Sequence, residues 1–158
     1  MRKLCLLFLL IGTYCYAGEK KYTVDSPDGK IQLAIIQTDA GELTYQLSVK
    51  RKQVIDASAL GFKTEDGLTF PFRGWKMGKV TRNKVNSVWK PLWGKRAVVP
   101  DKYNEMKLSF VNEAKSSDAL EVVARAYNEG VAFRYVSPQG AGSALELTTF
   151  NFAGDYTA

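Results

Sequence analysis

Between residues 43 and 50 the chain reads LTYQLSVK. Leu43, Tyr45, Leu47 and Val49 alternate with Thr44, Gln46, Ser48 and Lys50. Successive side chains of a strand point to opposite faces. A period of two therefore marks a strand with one face in a core and the other in water. No segment carries an i, i+3, i+4, i+7 apolar stripe over three turns, so an amphipathic helix has nowhere to form.

Residues 21–24 read as a short extended segment, and 31–36 as a strand with Ile31, Leu33 and Ile35 on one face. Val54-Ile55 and Leu60-Gly61-Phe62 are further short strands. Residues 103–111 put Met106, Leu108 and Phe110 on one side. Residues 120–127 and 131–136 form the strongest hairpin, joined at Asn128-Glu129-Gly130, where Gly130 is expected at a positive φ. Residues 144–152 read as a last strand. Turn chemistry separates these runs at Ser26-Pro27-Asp28-Gly29, Asp39-Ala40-Gly41, Lys50-Arg51-Lys52, Glu65-Asp66-Gly67 and residues 115–118. Many short strands between turns predict an all-β antiparallel β-sandwich. Residues 71–100, which hold Trp75, Trp89 and Trp93, are expected to be a long irregular loop, functional or covering an edge. Gly154-Asp155 looks like a turn between two elements. Either the last residues fray or the polypeptide is cut in mid-domain, which would leave the sandwich incomplete there.

The N-terminus has the layout of a secretory signal peptide: Arg2 and Lys3, then the apolar run LCLLFLLIG, then Cys15-Tyr16-Ala17 with small residues at the cleavage positions. The run is shorter than the roughly 20 apolar residues that span a bilayer. A lipid anchor on Cys15 is the alternative, disfavoured by the bulky Tyr14. Residues 1–17 are thus read as the signal and 18–158 as one domain, periplasmic or secreted. Both cysteines, Cys5 and Cys15, leave with the signal, and the chain has no histidine. Disulfides, thiol nucleophiles, Ser-His-Asp chemistry and the usual zinc sites are excluded from the mature chain. Its charges, 20 basic against 16 acidic once Arg2 and Lys3 are gone, are interspersed. That pattern predicts no nucleic-acid partner, and no membrane partner after cleavage.

Among single residues, Trp89 and Trp93 could stack on a sugar ring, or pack against an edge or a following domain. Trp75 reads as packing. Arg125 and Arg134 sit in otherwise apolar strands and need a partner, for which Asp101, Glu105 and Glu129 are available. They are read as substrate-binding residues or as structural ion pairs. Glu105 and Asn104 are neighbours in a strand and face opposite ways, so they cannot act as a pair. Both are assigned a structural or interface role, with Asn104 or Glu105 pinning the tryptophan-rich loop. No catalytic residue and no metal ligand is assigned.

SPDGK at 26–30, ALGF at 59–62, WKPLWG at 89–94, YNE at 103–105 and RAYNEGVAFRY at 125–135 stand in this order. Together they resemble the N-terminal domain of glycoside hydrolase family 97, a family of exported α-glucosidases and α-galactosidases. The resemblance implies a galactose-mutarotase-like super-sandwich followed by a (β/α)₈ barrel and a small C-terminal β domain. It implies catalytic carboxylates on the barrel and, in the full-length enzyme, a calcium ion held by glutamates, with no cofactor in this chain. Carbohydrate is then a partner only through the full-length enzyme, and the following barrel is the direct one. Glycoside hydrolysis needs two carboxylates, about 5–5.5 Å apart for retention or roughly 6.5–9.5 Å for inversion. The family includes both, and this chain without the barrel is expected to be inactive. The competing expectation is a free-standing periplasmic β-sandwich that binds carbohydrate without cleaving it. A purely structural protein of the cell envelope is a third.

Overall fold

The first four strands run up and down in chain order. β1 (Lys20–Asp25), β2 (Ile31–Gln37), β3 (Leu43–Val49) and β4 (Lys52–Leu60) pair antiparallel in the order β1-β2-β3-β4. The computed structural model describes residues 19–65, 67–71, 74–93, 97–113, 119–137 and 142–155. The signal segment at 1–17 and the turn at 115–118 fall outside the described residues.

The turns follow their sequences. Between β1 and β2, Gly29 takes φ 71°. Asp28 Oδ1 there accepts hydrogen bonds from the Ser26 hydroxyl at 2.6 Å and the Lys30 N–H at 3.1 Å. These bonds, with Lys30 alongside, hold the Asp28 carboxyl down at about 2. Between β3 and β4 the chain reverses on Lys50 and Arg51, at φ 50° and 67°. Two consecutive positive-φ residues give the turn whose twist matches that of the flanking strands.

β4 ends at Leu60, and a small sheet begins with β5 (Phe62–Thr64) and β6 (Thr69–Phe70). The expected continuous strand across Gly61 is therefore broken. A Cβ on Gly61 would lie 2.5 Å from the Phe70 carbonyl oxygen, so only glycine lets the two backbones approach this closely.

The second large sheet holds β7 (Trp75–Trp89), β8 (Val99–Asn112), β9 (Ala119–Tyr127) and β10 (Val131–Val136), in the order β10-β9-β8-β7. Much of the expected loop at 71–100 is β7, a strand of 15 residues. It pairs with β8 from Trp75↔Asn112 to Trp89↔Val99, with a register shift between Met77 and Val80. Its sequence, WKMGKVTRNKVNSVW, hides the strand because the bulge breaks the alternation and most of its residues face water on both sides. The β9–β10 hairpin forms where expected, but Gly130 does not take a positive φ. It closes instead through the Tyr127 N–H, which donates to the Gly130 carbonyl at 2.8 Å.

The last strand is also shorter than expected. β11 (Ala144–Glu146) pairs with β5, giving the small sheet the order β11-β5-β6. Residues 147–153 then run along β4, bonded by Leu147 N–H to Gly61 O, Thr149 N–H to Ala59 O and Ala153 N–H to Val54 O. Side chains interrupt the ladder: the Thr149 hydroxyl accepts from the Ala59 N–H, and the Ser58 hydroxyl accepts from the Asn151 N–H.

The core lies between the two large sheets, with Leu33, Ile35, Leu43 and Tyr45 opposed to Met106, Leu108, Phe110, Val122 and Ala124. At one end the sandwich is closed by rings. Phe70 meets Trp75 at 5.2 Å and Phe110 at 5.3 Å between centroids, and Phe62 meets Tyr135 at 5.1 Å. Edge-to-face geometry suits the ring quadrupoles. Together the sheets make the all-β sandwich expected from the alternation.

Candidate functional site

The residues singled out in the sequence fall into two groups. The first is built on the strand register. β9 pairs with β8 only as far as Tyr127↔Tyr103, whereas β7 and β8 continue to Trp89↔Val99. Beyond Tyr103 the hairpin is a two-stranded ribbon that projects past the sheet. At its tip Trp89 is 54% exposed and Trp93 88%, with Val88, Leu92 and Val98 also exposed around them. Lys84, Lys90 and Lys102 are exposed along the same ribbon. Two tryptophan faces beside cationic side chains can stack on a sugar ring, or against the apolar surface of a folded neighbour.

The second group sits on the outer face of the second sheet. Glu105, Arg125 and Ala132 stand in one cross-strand row. Of the three carboxylates available to Arg125, the fold supplies Glu105: Arg125 Nε donates to Glu105 Oε2 at 2.8 Å. Lys107 Nζ lies 3.7 Å from Glu105 Oε1. The Arg125 guanidinium also covers the Tyr103 ring at 4.4 Å, and Tyr103 and Tyr127 pack at 5.0 Å. Glu105 foremost, then Tyr127, holds the Arg125 guanidinium above its usual range. Glu105 is only 6% exposed, so the row is a covered ion pair with an aromatic lid. Arg134 is exposed one strand away. It lines, with Arg125, Tyr127 and Phe133, a shallow hollow of about 130 Å³.

The two groups do not converge. Trp89 lies six residues along β7 from Asn83, which stands in the Glu105 row. At about 3.3 Å per residue that is roughly 20 Å. Nor do Asn104 and Glu105 pin the tryptophan loop, as expected of them. Asn104 Nδ2 donates to the Asp25 carbonyl at 2.7 Å, tying β8 to the end of β1, and Glu105 bonds Arg125. Alternation sends the two side chains to opposite faces, and each finds its partner where its own face leads. Trp75 is 5% exposed and belongs to the core.

Sequence reasoning missed Tyr135. Burial pushes its phenol up to about 12, while its hydroxyl bonds Thr148 Oγ1 at 3.2 Å and the Gly61 backbone. Together with Tyr45, whose hydroxyl donates to the Thr149 carbonyl at 2.9 Å, it ties the run 147–153 to the sandwich. The only signal in the sequence was the apolar-face position of Tyr135 in the alternation of β10.

Among the described residues no group of three His, Cys, Asp or Glu side chains comes together. Glu105 already holds two cations.

A covered core and a projecting aromatic ribbon define a β-sandwich module with an exposed apolar tip. Comparison with known proteins gives its family. The pattern described as Glycosyl-hydrolase 97 N-terminal matches residues 24–158, and the chain belongs to that family. It is 26% identical over 162 residues to a retaining alpha-galactosidase of Bacteroides thetaiotaomicron, covering 100% of this chain and 23% of that protein. It is 30% identical over 154 residues to a probable retaining alpha-galactosidase of Streptomyces bingchenggensis, covering 95% of this chain and 24% of that one. The chain thus spans under a quarter of these relatives. Among solved structures, a glycoside hydrolase family 97 enzyme from Pseudoalteromonas sp. strain K8, in complex with panose, superposes with TM-score 0.72 at 34% identity. The match covers 84% of this chain and 20% of that one. The same enzyme has been solved with acarbose. A beta-arabinopyranosidase superposes with TM-score 0.70 at 28% identity, over 83% of this chain and 21% of that one.

Proposed function

We propose that this domain braces the catalytic domain of an exported retaining α-glycosidase, with α-galactosidase as the leading activity and α-glucosidase as the other. The observation that carries this reading is the β7–β8 ribbon. Trp89, Leu92 and Trp93 stand in water at the end of a well-paired hairpin. A module that stood alone would leave that apolar tip uncovered, and such patches usually mark an interaction surface. The brief match to each relative, about a fifth to a quarter of its length, leaves room for a catalytic domain beyond this one. Hydrolysis belongs to carboxylates on that domain, and carbohydrate reaches this one at most indirectly. Calcium is expected in the full-length enzyme, held by glutamates outside this chain. The chain is exported on residues 1–17, leaving 18–158 as the domain in the periplasm or outside the cell. The panose and acarbose complexes of the Pseudoalteromonas enzyme support a carbohydrate substrate.

The test is to read the frame downstream of the Ala158 codon and express both lengths. The extended protein is expected to release p-nitrophenol from an α-galactoside or α-glucoside, and the 158-residue chain to release none. If the frame closes at Ala158 and the chain binds oligosaccharide saturably without metal, the bracing role is lost. Loss of that binding in Trp89→Ala or Trp93→Ala would then establish a free-standing binding module.

A further inference from the structure

The net charge of +6 resides on the β7–β8 hairpin. Residues 75–107 hold nine of the 22 basic residues and only two of the 16 acidic ones. Lys76 and Lys107 pair with Glu113 and Glu105. Arg82, Lys84 and Lys102 are exposed, and among the described residues no carboxylate pairs with them.

Register places these three cations on one face. Arg82 stands opposite Met106, Lys84 opposite Asn104 and Asn86 opposite Lys102. Cross-strand partners share a face, and Met106 belongs to the core. Arg82 and Lys84 therefore continue the core-facing side of the hairpin past the point where the core ends. There they border a cleft of about 600 Å³, whose other wall is the end of β1 and the turn at 26–29. That volume lies within the range of small-ligand sites, about 300–1,000 Å³.

The carboxylates near the cleft are turned away from it. On β1, Val24 is buried in the core, so alternation sends Asp25 to the outer face of its sheet, where Gln32 Nε2 donates to it at 2.8 Å. On β8, Glu105 lies on the outer face of the other sheet, held by Arg125 and Lys107. Asp28 is bonded to Ser26 and Lys30. The wall itself is tied down at three points. Asn104 Nδ2 donates to the Asp25 carbonyl, Asn128 Oδ1 accepts from the Asp28 N–H at 3.1 Å, and the Ser26 hydroxyl accepts from the Ile31 N–H at 3.0 Å. A site whose walls are already ordered loses little freedom on binding, and two unpaired cations beside amide and backbone polar groups suit an anion rich in hydroxyls.

We propose that this cleft binds an acidic saccharide, with a carboxylate or sulfate between Arg82 and Lys84 and sugar hydroxyls on Asn104 and the 26–29 turn. Successive residues on one face of a strand are about 7 Å apart, so one anionic group reaches both cations. Such a site would hold the protein on an acidic glycan while hydrolysis proceeds elsewhere. It is separate from the tryptophan tip: Lys84 and Trp89 are five residues apart on β7, roughly 16 Å along the strand. It therefore does not rest on the bracing role.

Isothermal titration calorimetry on the whole natural protein tests it. The probes are trigalacturonate, a sulfated galactose trisaccharide, neutral galactotriose and inorganic sulfate. An acidic trisaccharide is expected to bind saturably, more weakly as salt rises, and roughly tenfold or more tighter than galactotriose. Which of the two acidic probes binds assigns the group as carboxylate or sulfate. Arg82→Gln combined with Lys84→Gln is expected to weaken binding by roughly tenfold or more. Lys79→Gln removes an exposed cation of the same strand outside the cleft and is expected to leave binding unchanged. The proposal is overturned if neither acidic probe binds, if galactotriose binds equally well, or if the paired substitution changes nothing while its urea midpoint is that of the parent. An equal loss in Lys79→Gln would mean attraction by net charge alone, and displacement by an equal concentration of inorganic sulfate would mean a simple ion site; either also overturns it. Hydrolysis of an α-glycoside by the same protein reports on the bracing role separately, so each reading can fail without the other.

Discussion

The two halves of the β7–β8 hairpin carry similar residues to opposite ends. Near its base Trp75 is buried against Phe70, and Met77 and Val80 pack on the core. At its tip Trp89 and Trp93 stand in solvent with Val88 and Leu92. Strand pairing runs through both halves, interrupted only by the bulge between Met77 and Val80, so the absence of pairing is not what exposes the tip. The difference is the neighbouring layer: the base lies beside β9 and beneath the first sheet, and the tip runs past both. An aromatic residue contributes stability only where something covers it, so the same hairpin stabilises the domain at one end and presents a surface at the other.

Substitutions at the two ends separate these roles. Trp75→Ala is expected to cost about 3–5 kcal/mol, the usual range for a large ring removed from a core. Urea denaturation of the protein would show this as a lower midpoint with an unchanged slope. If Trp75→Ala unfolds no more easily than Trp93→Ala, the contrast between base and tip collapses. Gly61→Ala forces a Cβ against the Phe70 carbonyl and is expected to cost about 1–3 kcal/mol, as overpacking does.

The outer face of the second sheet falls between these extremes. Glu105→Gln keeps the shape of the side chain and removes its charge. It is expected to cost about 2 kcal/mol, as a hydrogen bond to a charged group does. A double-mutant cycle with Arg125→Ala would show coupling; additive effects would mean that the pair contributes nothing of its own.

Alkaline unfolding sharpens the picture at Tyr135. Its folded pKa of about 12 lies above the usual 10, so the neutral phenol stabilises the fold fully below pH 10. That contribution is lost as pH rises toward 12. The loss is at most on the order of 3 kcal/mol, since each of the two units is worth about 1.4, and less for the part of the ring that solvent reaches. In Tyr135→Phe this alkaline loss should largely vanish; an unchanged pH profile would show that other groups carry it.

The smallest effect belongs to the tip. Trp93→Ala is expected to change stability by less than about 0.5 kcal/mol, as exposed substitutions usually do. In the full-length enzyme it is expected to loosen the contact with the catalytic domain, seen as faster proteolysis between the two. A tip variant that destabilises the isolated sandwich as much as a core variant would show that the ribbon folds back onto it.

The legible parts of the fold were those whose signal is local. The alternation at 43–49 gave β3, the turn residues at 26–29 and 39–41 gave its neighbours' ends, and the even-numbered apolar residues of 106–110 gave the core face of β8. β7 was illegible because a strand that is mostly wet and broken by a bulge has no apolar period to show. At the site, the sequence offered three carboxylates for Arg125, and only the register of β8 on β9 chose Glu105. Trp75 reads as packing in the sequence and is buried in the fold, whereas the exposure of Trp89 and Trp93 is not legible there.

By itself the sequence determined a sheet protein without imidazole chemistry, and through its short motifs a resemblance to one family. Those properties follow from residue type and near-neighbour spacing, which any single strand displays. The tertiary structure alone decided which strands lie opposite one another. On that depend the partner of Arg125, the exposed tip of β7 and β8, and the cleft beside Arg82 and Lys84. Each is set by how far one sheet extends past the other, a distance written in no single segment of the chain.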